Sequence, residues 1–93
     1  MHFIRLCYDK PGMSATRIQH IDAHRAYLRE HAITTLVSGP LATEASEDEH
    51  IGSFFLLEAD TIAEVQSFHD DDPFTTAGIF GEVRIDRLLK RIG

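Results

Sequence analysis

Three aspartates in a row, Asp70, Asp71 and Asp72, run directly into Pro73 and Phe74. The stretch before them has helical spacing, with Ile62, Val65 and Phe68 on one face and a capping box of Thr61 and Glu64 at its start. The acids therefore close a helix at its negative end, where an exposed carboxylate costs roughly 0.3–1 kcal/mol. Pro73 stops the helix and pushes Asp72 toward extended backbone. A local rule broken in this way points to a functional partner. The partner expected here is His24. A carboxylate bonded to one imidazole nitrogen orients the ring, fixes its tautomer and leaves the other nitrogen free to accept a proton. General-base work of that kind contributes roughly 10²–10⁴-fold. The matching reaction class is proton abstraction from a small ring or enol-type compound, followed by isomerisation or elimination. A pocket walled by Tyr27, Phe54 and Phe74 would suit such a ligand. Asp70 and Asp71 are expected in solvent.

Three other readings stand beside this one. His24 and Asp72 could be a buried pair that only braces two helices. His20 and His24, at i and i+4, share one helix face as zinc-binding histidines do, with Asp70, Asp71 or Asp72 as a third ligand. The glutamate of an H-E-x-x-H motif and any cysteine pair are absent, so neither metal nor cofactor is expected. An apolar pocket with few polar groups could also serve a non-catalytic module that binds or senses a metabolite. No serine or cysteine sits in a recognised nucleophile setting: Ser38 lacks an elbow motif, and Cys7 lies in an apolar run as a buried, inert thiol.

The elements that must hold these residues follow from periodicity and punctuation. His2 to Tyr8 reads as a first strand, closed by the turn signal Asp9-Lys10-Pro11-Gly12. Ser14 or Thr16 is expected to cap a helix over Arg17 to Ala32. Ile18, Ile21, Leu28 and Ala32 form its apolar stripe, and Arg25 projects into it, so either the stripe is narrow or Arg25 snorkels out. Arg17, His20, His24 and His31 form a second, half-buried stripe beside it. Thr34 to Leu41 reads as a second strand with a bulge or bend at Gly39 and Pro40. The acidic stretch Ala42 to His50 reads as a solvated hairpin loop. Gly52 to Ala59, with Phe54-Phe55-Leu56-Leu57, reads as a strand covered on both faces. Phe74 to Gly81 is a turn-rich bridge, and Glu82 to Leu88 alternates as a last, half-buried strand. Strand, helix, strand, strand, helix, strand is the order of a ferredoxin-like α+β sandwich, with helices on one face of a four-stranded antiparallel sheet.

Composition bounds the partners. A chain of 93 residues fits one domain, 1–93, and is short enough that a second copy would help bury the sheet face its own helices leave open. The formal charge of −6 argues against nucleic acid and against an anionic membrane surface. With one cysteine no intrachain disulfide can form. No basic-then-apolar leader and no apolar run near ~18 residues is present, which gives the expectation of a cytoplasmic protein.

The segments Ala23-His24-Arg25-Ala26-Tyr27-Leu28, Ser38-Gly39-Pro40-Leu41, Gly52-Ser53, Asp72-Pro73-Phe74 and Ala77-Gly78 follow one another in a familiar order. In that order and spacing the chain resembles the YCII-related (YciI-like) family over nearly its whole length. The resemblance implies a dimeric α+β barrel, two sheets packed face to face, with His24 and Asp72 as the catalytic pair. It places Gly39 and Pro40 in the pocket wall. The expected substrate contacts are Arg17, His20, Tyr27, Ser38, Gly39, Pro40, Pro73 and Phe74. Many relatives carry an arginine about one turn before the histidine, where this chain has Ile21, and Arg17 or His20 is the candidate replacement.

Overall fold

Alternation of inward side chains along β1 (His2–Asp9) sets the frame. Phe3, Arg5 and Cys7 are buried under the helices, and their neighbours point to the other face. The computed structural model describes all 93 residues. After β1 come α1 (Ser14–Glu30), β2 (Thr34–Thr43), β3 (Ser46–Glu58), α2 (Ile62–Asp71), α3 (Pro73–Thr76) and β4 (Phe80–Leu88). The sheet order is β2-β3-β1-β4, every pair antiparallel, which is the ferredoxin-like arrangement.

Register carries the burial pattern across the sheet. Phe3 pairs with Leu57, Arg5 with Phe55 and Cys7 with Ser53, and all six are buried beneath the helices. The opposite face carries Ile4 against Leu56 and Leu6 against Phe54, all half-buried, with Val37 more exposed beside Leu56. No helix of the chain covers that side. At Gly52 the strands approach so closely that a Cβ would run into the Cys7 carbonyl, so only glycine fits.

Several sequence expectations need correction. The acidic stretch from Ala42 to His50 is not an open loop. β2 and β3 continue pairing through it to Thr43 and Ser46. Its side chains are nearly all exposed, so no apolar alternation marked it as strand. The irregularities of β2 fall between Thr35 and Val37 and beyond Leu41, flanking Gly39-Pro40 rather than lying on them. Pro40 is tolerated because β2 is an edge strand.

α1 starts at Ser14, and neither Ser14 nor Thr16 caps it: Met13 is the N-cap and offers no side-chain bond. Its buried residues are Arg17 and His24, whereas Ile18 is 76% exposed. The stripe expected to be half-buried is thus the one packed deepest. Its polar groups have buried partners that offset their desolvation. α2 opens as expected, with Thr61 Oγ1 accepting from Glu64 N at 3.3 Å. Glu64 reaches back to Asp60 N rather than to Thr61 N. Val65 and Phe68 are buried but Ile62 is exposed. The bridge after α2 contains the short helix α3, ended by Gly78 at φ 75°.

Candidate active site

Asp72 terminates one helix and begins another. It caps the C-terminus of α2 with φ −61° and ψ 130°, and from the same position its side chain caps α3. Oδ1 accepts from Phe74 N at 2.9 Å, with Pro73 in the first turn where a missing N–H costs nothing. The acid that looked misplaced at the end of α2 therefore sits at the favourable end of α3.

The same carboxylate meets His24, carried by α1. Asp72 Oδ1 lies 2.7 Å from His24 Nδ1, with Asp72 fully buried and the histidine nearly so. The carboxylate selects the tautomer with hydrogen on Nδ1 and leaves the Nε2 lone pair outward. No protein group bonds Nε2, and it is not sealed from solvent. The His24 ring stacks on Phe74 with centroids 3.9 Å apart and planes at 1°, and meets Phe55 edge-on at 5.9 Å. Backbone bond, ion partner and ring packing together hold the imidazole in one pose.

A second layer holds Asp72 from behind. Arg5, fully buried on β1, donates Nη1 to Asp72 Oδ2 at 2.9 Å, Nε to His69 Nδ1 at 2.9 Å and Nη2 to Thr75 Oγ1 at 3.3 Å. Burial pushes the Asp72 carboxyl up, but the bond from His24, the charge of Arg5 and the Phe74 amide together hold it below the usual carboxylate range. His69 titrates lower than an ordinary histidine, because of burial first and the adjacent guanidinium second. Its Nδ1 accepts from Arg5 Nε and so carries a lone pair, which makes it a neutral ring. Burial raises the Cys7 thiol to about 11, so it is inert at neutral pH, as its place in the strand implied.

In front of His24 lies a cavity of about 240 Å³. Its wall includes Arg17, His24, Ser53, Phe55 and Phe74, with Ser38, Gly39 and Pro40 on the neighbouring strand β2 and Arg25 and His50 also on the lining. A cavity of about 150 Å³ can hold benzene, so this one admits a single substituted ring. Arg17 is held by Asp9 through Nε and Nη2, the latter at 3.0 Å, and its Nη2 also donates to Ser53 Oγ at 2.8 Å. Nη1 has no protein partner. A wider groove of about 700 Å³ near Met1, His31, Glu58 and Ser67 lies at the far end of α1 and carries none of these groups.

Of the residues singled out from sequence, the fold brings Arg17, His24, Ser38, Gly39, Pro40 and Phe74 to this cavity, with Asp72 one layer behind. Four others do not line it. Tyr27 donates its hydroxyl to the Phe68 carbonyl at 2.9 Å and braces α1 on α2. His20 and Pro73 are half-buried outside the wall. Phe54 falls on the opposite sheet face, and its neighbour Phe55 takes the wall position. No three His, Cys, Asp or Glu side chains converge at metal-binding distance.

Sequence reasoning missed Arg5, Asp9, Ser53 and His69 as parts of the site. The signal for Arg5 was present: it shares strand parity with Phe3 and Cys7, so the alternation that buries them buries a charge. His69 directly follows the buried Phe68 and precedes the acid triplet.

A model of the YCII-related domain matches residues 1–88. No curated protein matches the chain. Among solved structures, the chain is similar to 5-chloro-2-hydroxyhydroquinone dehydrochlorinase (TftG) from Burkholderia phenoliruptrix AC1100 in complex with 2,5-dihydroxybenzoquinone. The two are 36% identical over 95% of this chain and 93% of that one, with a TM-score of 0.83. PA3566 from Pseudomonas aeruginosa is 17% identical over 98% and 93% of the two chains, at a TM-score of 0.58. At3g17210 from Arabidopsis thaliana is 13% identical over 99% and 96%, at 0.51. These last two show the shared fold alone. No helix here is long and apolar enough to cross a membrane.

Proposed function

The chain belongs to the YCII-related family, and from that premise we propose that it is a lyase-type enzyme acting on a hydroxylated six-membered ring, with His24 as the general base. The observation that carries this reading is an imidazole fixed by a buried carboxylate, its free Nε2 facing a cavity sized for one ring. The likeness to a dehydrochlorinase, held in complex with a dihydroxybenzoquinone, supplies the substrate class.

The steps balance without an outside oxidant. His24 Nε2 takes a hydroxyl proton from a hydroquinone that carries a leaving group, and the proton moves to the ring carbon bearing that group. That carbon becomes tetrahedral and its neighbour a ketone. His24 then takes a second hydroxyl proton. The released electron pair passes through the ring, and the leaving group departs with its bonding pair. The net change is loss of one proton and one anion, and the hydroquinone becomes a quinone. Asp72 holds the ring of His24 through both transfers and stabilises the imidazolium between them. Arg17, which lines the cavity and has an unpartnered Nη1, would meet an oxygen of the substrate, with Phe55 and Phe74 walling the ring and Ser38, Gly39 and Pro40 completing the wall from β2.

The protein works as a homodimer joined through the open sheet face, where Ile4, Leu6, Phe54 and Leu56 would meet their copies. Burying those side chains supplies a driving force of about 25 cal/mol per Å² of apolar surface.

The test is chloride release from 5-chloro-2-hydroxyhydroquinone, followed together with quinone absorbance. Wild type is expected to turn over, and His24→Gln to lose roughly 10²–10⁴-fold while remaining folded and dimeric. Turnover equal to wild type in His24→Gln overturns the base assignment. Binding of 2,5-dihydroxybenzoquinone by both proteins with no chloride release by either favours the binding-module reading instead.

A further inference from the structure

Behind the His24–Asp72 pair stands a group that the reaction above leaves without a role. Arg5 is fully buried at the centre of β1, with the rings of Phe55 and Phe68 at 4.5 and 5.4 Å from its guanidinium carbon. Taking a guanidinium out of water is costly, and well-packed apolar side chains of similar volume often replace buried ion pairs at equal or better stability. A brace alone would not call for a charge at this position.

Electrostatics gives the charge a task. A lone buried carboxylate 2.7 Å from an imidazole favours the imidazolium, and a ring already protonated at Nε2 cannot act as a base. Arg5 on the second carboxylate oxygen divides that field. Asp72 stays ionised and still orients the ring, but it holds the ring proton less tightly. The third partner matters for the same reason. Position 69 accepts the Arg5 Nε–H with a neutral ring. A carboxylate there would form its own ion pair with Arg5 and cancel the charge that Asp72 needs.

We infer that Arg5 is a positioning residue that keeps His24 available as a base by sharing the charge of Asp72, and that His69 serves as an uncharged acceptor so that Arg5 remains committed to Asp72. The inference rests on the base role of His24 proposed above. Other charged or titratable groups surround the pair: Cys7 on β1, Arg17 and Arg25 on α1, Asp9 beyond Arg17, and His50 at the cavity. None of them bonds the Asp72 carboxylate, whose partners are Arg5, His24 and the Phe74 amide.

The experiment is an NMR titration of the His24 ring in the folded protein, comparing wild type, His69→Asn and His69→Asp. The two substitutions have the same shape and place an oxygen where Nδ1 now accepts, but only one brings a negative charge. His69→Asn is expected to leave the midpoint within about 0.3 pH units, and His69→Asp to raise it by about one unit or more. Equal midpoints overturn the inference, and because a carboxylate at position 69 also acts on the ring directly, a rise in His69→Asp supports it only when Arg5→Met raises the midpoint too. Arg5→Met removes the charge at similar volume, and it decides alone should His69→Asp fail to fold. It must raise the midpoint in the same direction, and an unchanged value there overturns the inference equally. Chloride release on the same samples separates the two proposals. Midpoints that shift as stated without turnover leave this inference standing and remove the elimination reading. Turnover with equal midpoints does the reverse.

Discussion

Two buried clusters lie under the helices, built by opposite means. One joins Phe3, Ile33, Phe55, Leu57, Val65 and Phe68, with no polar side chain among them. The other joins Cys7, Phe74, Ile79 and Phe80, and the buried polar groups, Arg5, Arg17, His24, Ser53, His69 and Asp72, gather between it and the Phe55 and Phe68 edge of the first. Burial in the first is favourable for each side chain taken alone. Burial in the second is tolerable only as a set, because each charge offsets the desolvation of its neighbour. The apolar end therefore holds the fold, and the charged end draws on that stability to keep its buried polar groups oriented.

Substitutions should separate the two ends, and the largest effect belongs to Asp72→Asn. Either orientation of the amide sets its NH2 against a donor: against Arg5 Nη1 if the oxygen stays on Phe74 N and His24 Nδ1, or against Phe74 N and the His24 ring if it accepts from Arg5, and in both Arg5 loses its counter-charge. Turnover is expected to fall roughly 10²–10⁴-fold, and stability by about 3–5 kcal/mol. Steady-state kinetics and urea unfolding read both. Leu57→Ala, in the apolar cluster, should cost about 2–5 kcal/mol of stability while turnover per folded molecule is retained. If Leu57→Ala lowered turnover as steeply as Asp72→Asn, the division between the ends would be wrong.

The same contrast explains what the chain made legible. The apolar end shows itself by periodicity: Val65 and Phe68 on α2, and the run through Phe55 and Leu57 on β3, were readable at sight. The contact between His24 and Asp72 was readable for a different reason, because an acid triplet before proline breaks a helix rule. The face of α1 was misread. Ile18 advertises an apolar stripe, yet Arg17 and His24 are the buried pair, and hydrophobic spacing cannot register a stripe whose burial depends on partners far along the chain. Arg5 escaped for that reason too: its partners His69, Asp72 and Thr75 come more than sixty residues later. The strand pairing within the hairpin from Ala42 to His50 escaped because exposed strand arms bury nothing and so leave no pattern.

Acid should strain the charged end first. The folded-state titration of His69 is lowered, so below about pH 6.5 the unfolded chain binds a proton that the native site resists, and stability falls as pH falls. Asp72 follows further down. Its titration is also lowered, so its contribution is present above about pH 4 and is lost as pH drops through the folded-state value. Urea midpoints at pH 7.5 and 5 should show a smaller acid loss in His69→Asn than in wild type. A single such proton accounts for at most about 1.4 kcal/mol per pH unit. Equal losses in the two proteins would place the acid sensitivity outside this network.

The smallest expected effect lies one residue from the largest. Asp71 is exposed in the last turn of α2 with no hydrogen-bond or ion partner, while adjacent Asp70 accepts from Gln66 at 3.0 Å. Nothing there offsets the repulsion between a carboxylate and the negative end of the helix. Asp71→Lys reverses that sign and should raise stability by about 0.3–1 kcal/mol, with turnover unchanged. The gain should shrink as salt is added, since the site is open to solvent. A loss of turnover at unchanged stability would mean that the triplet acts as one electrostatic unit. The boundary between the two ends would then fall at Asp70, in solvent, and not at the buried carboxylate of Asp72.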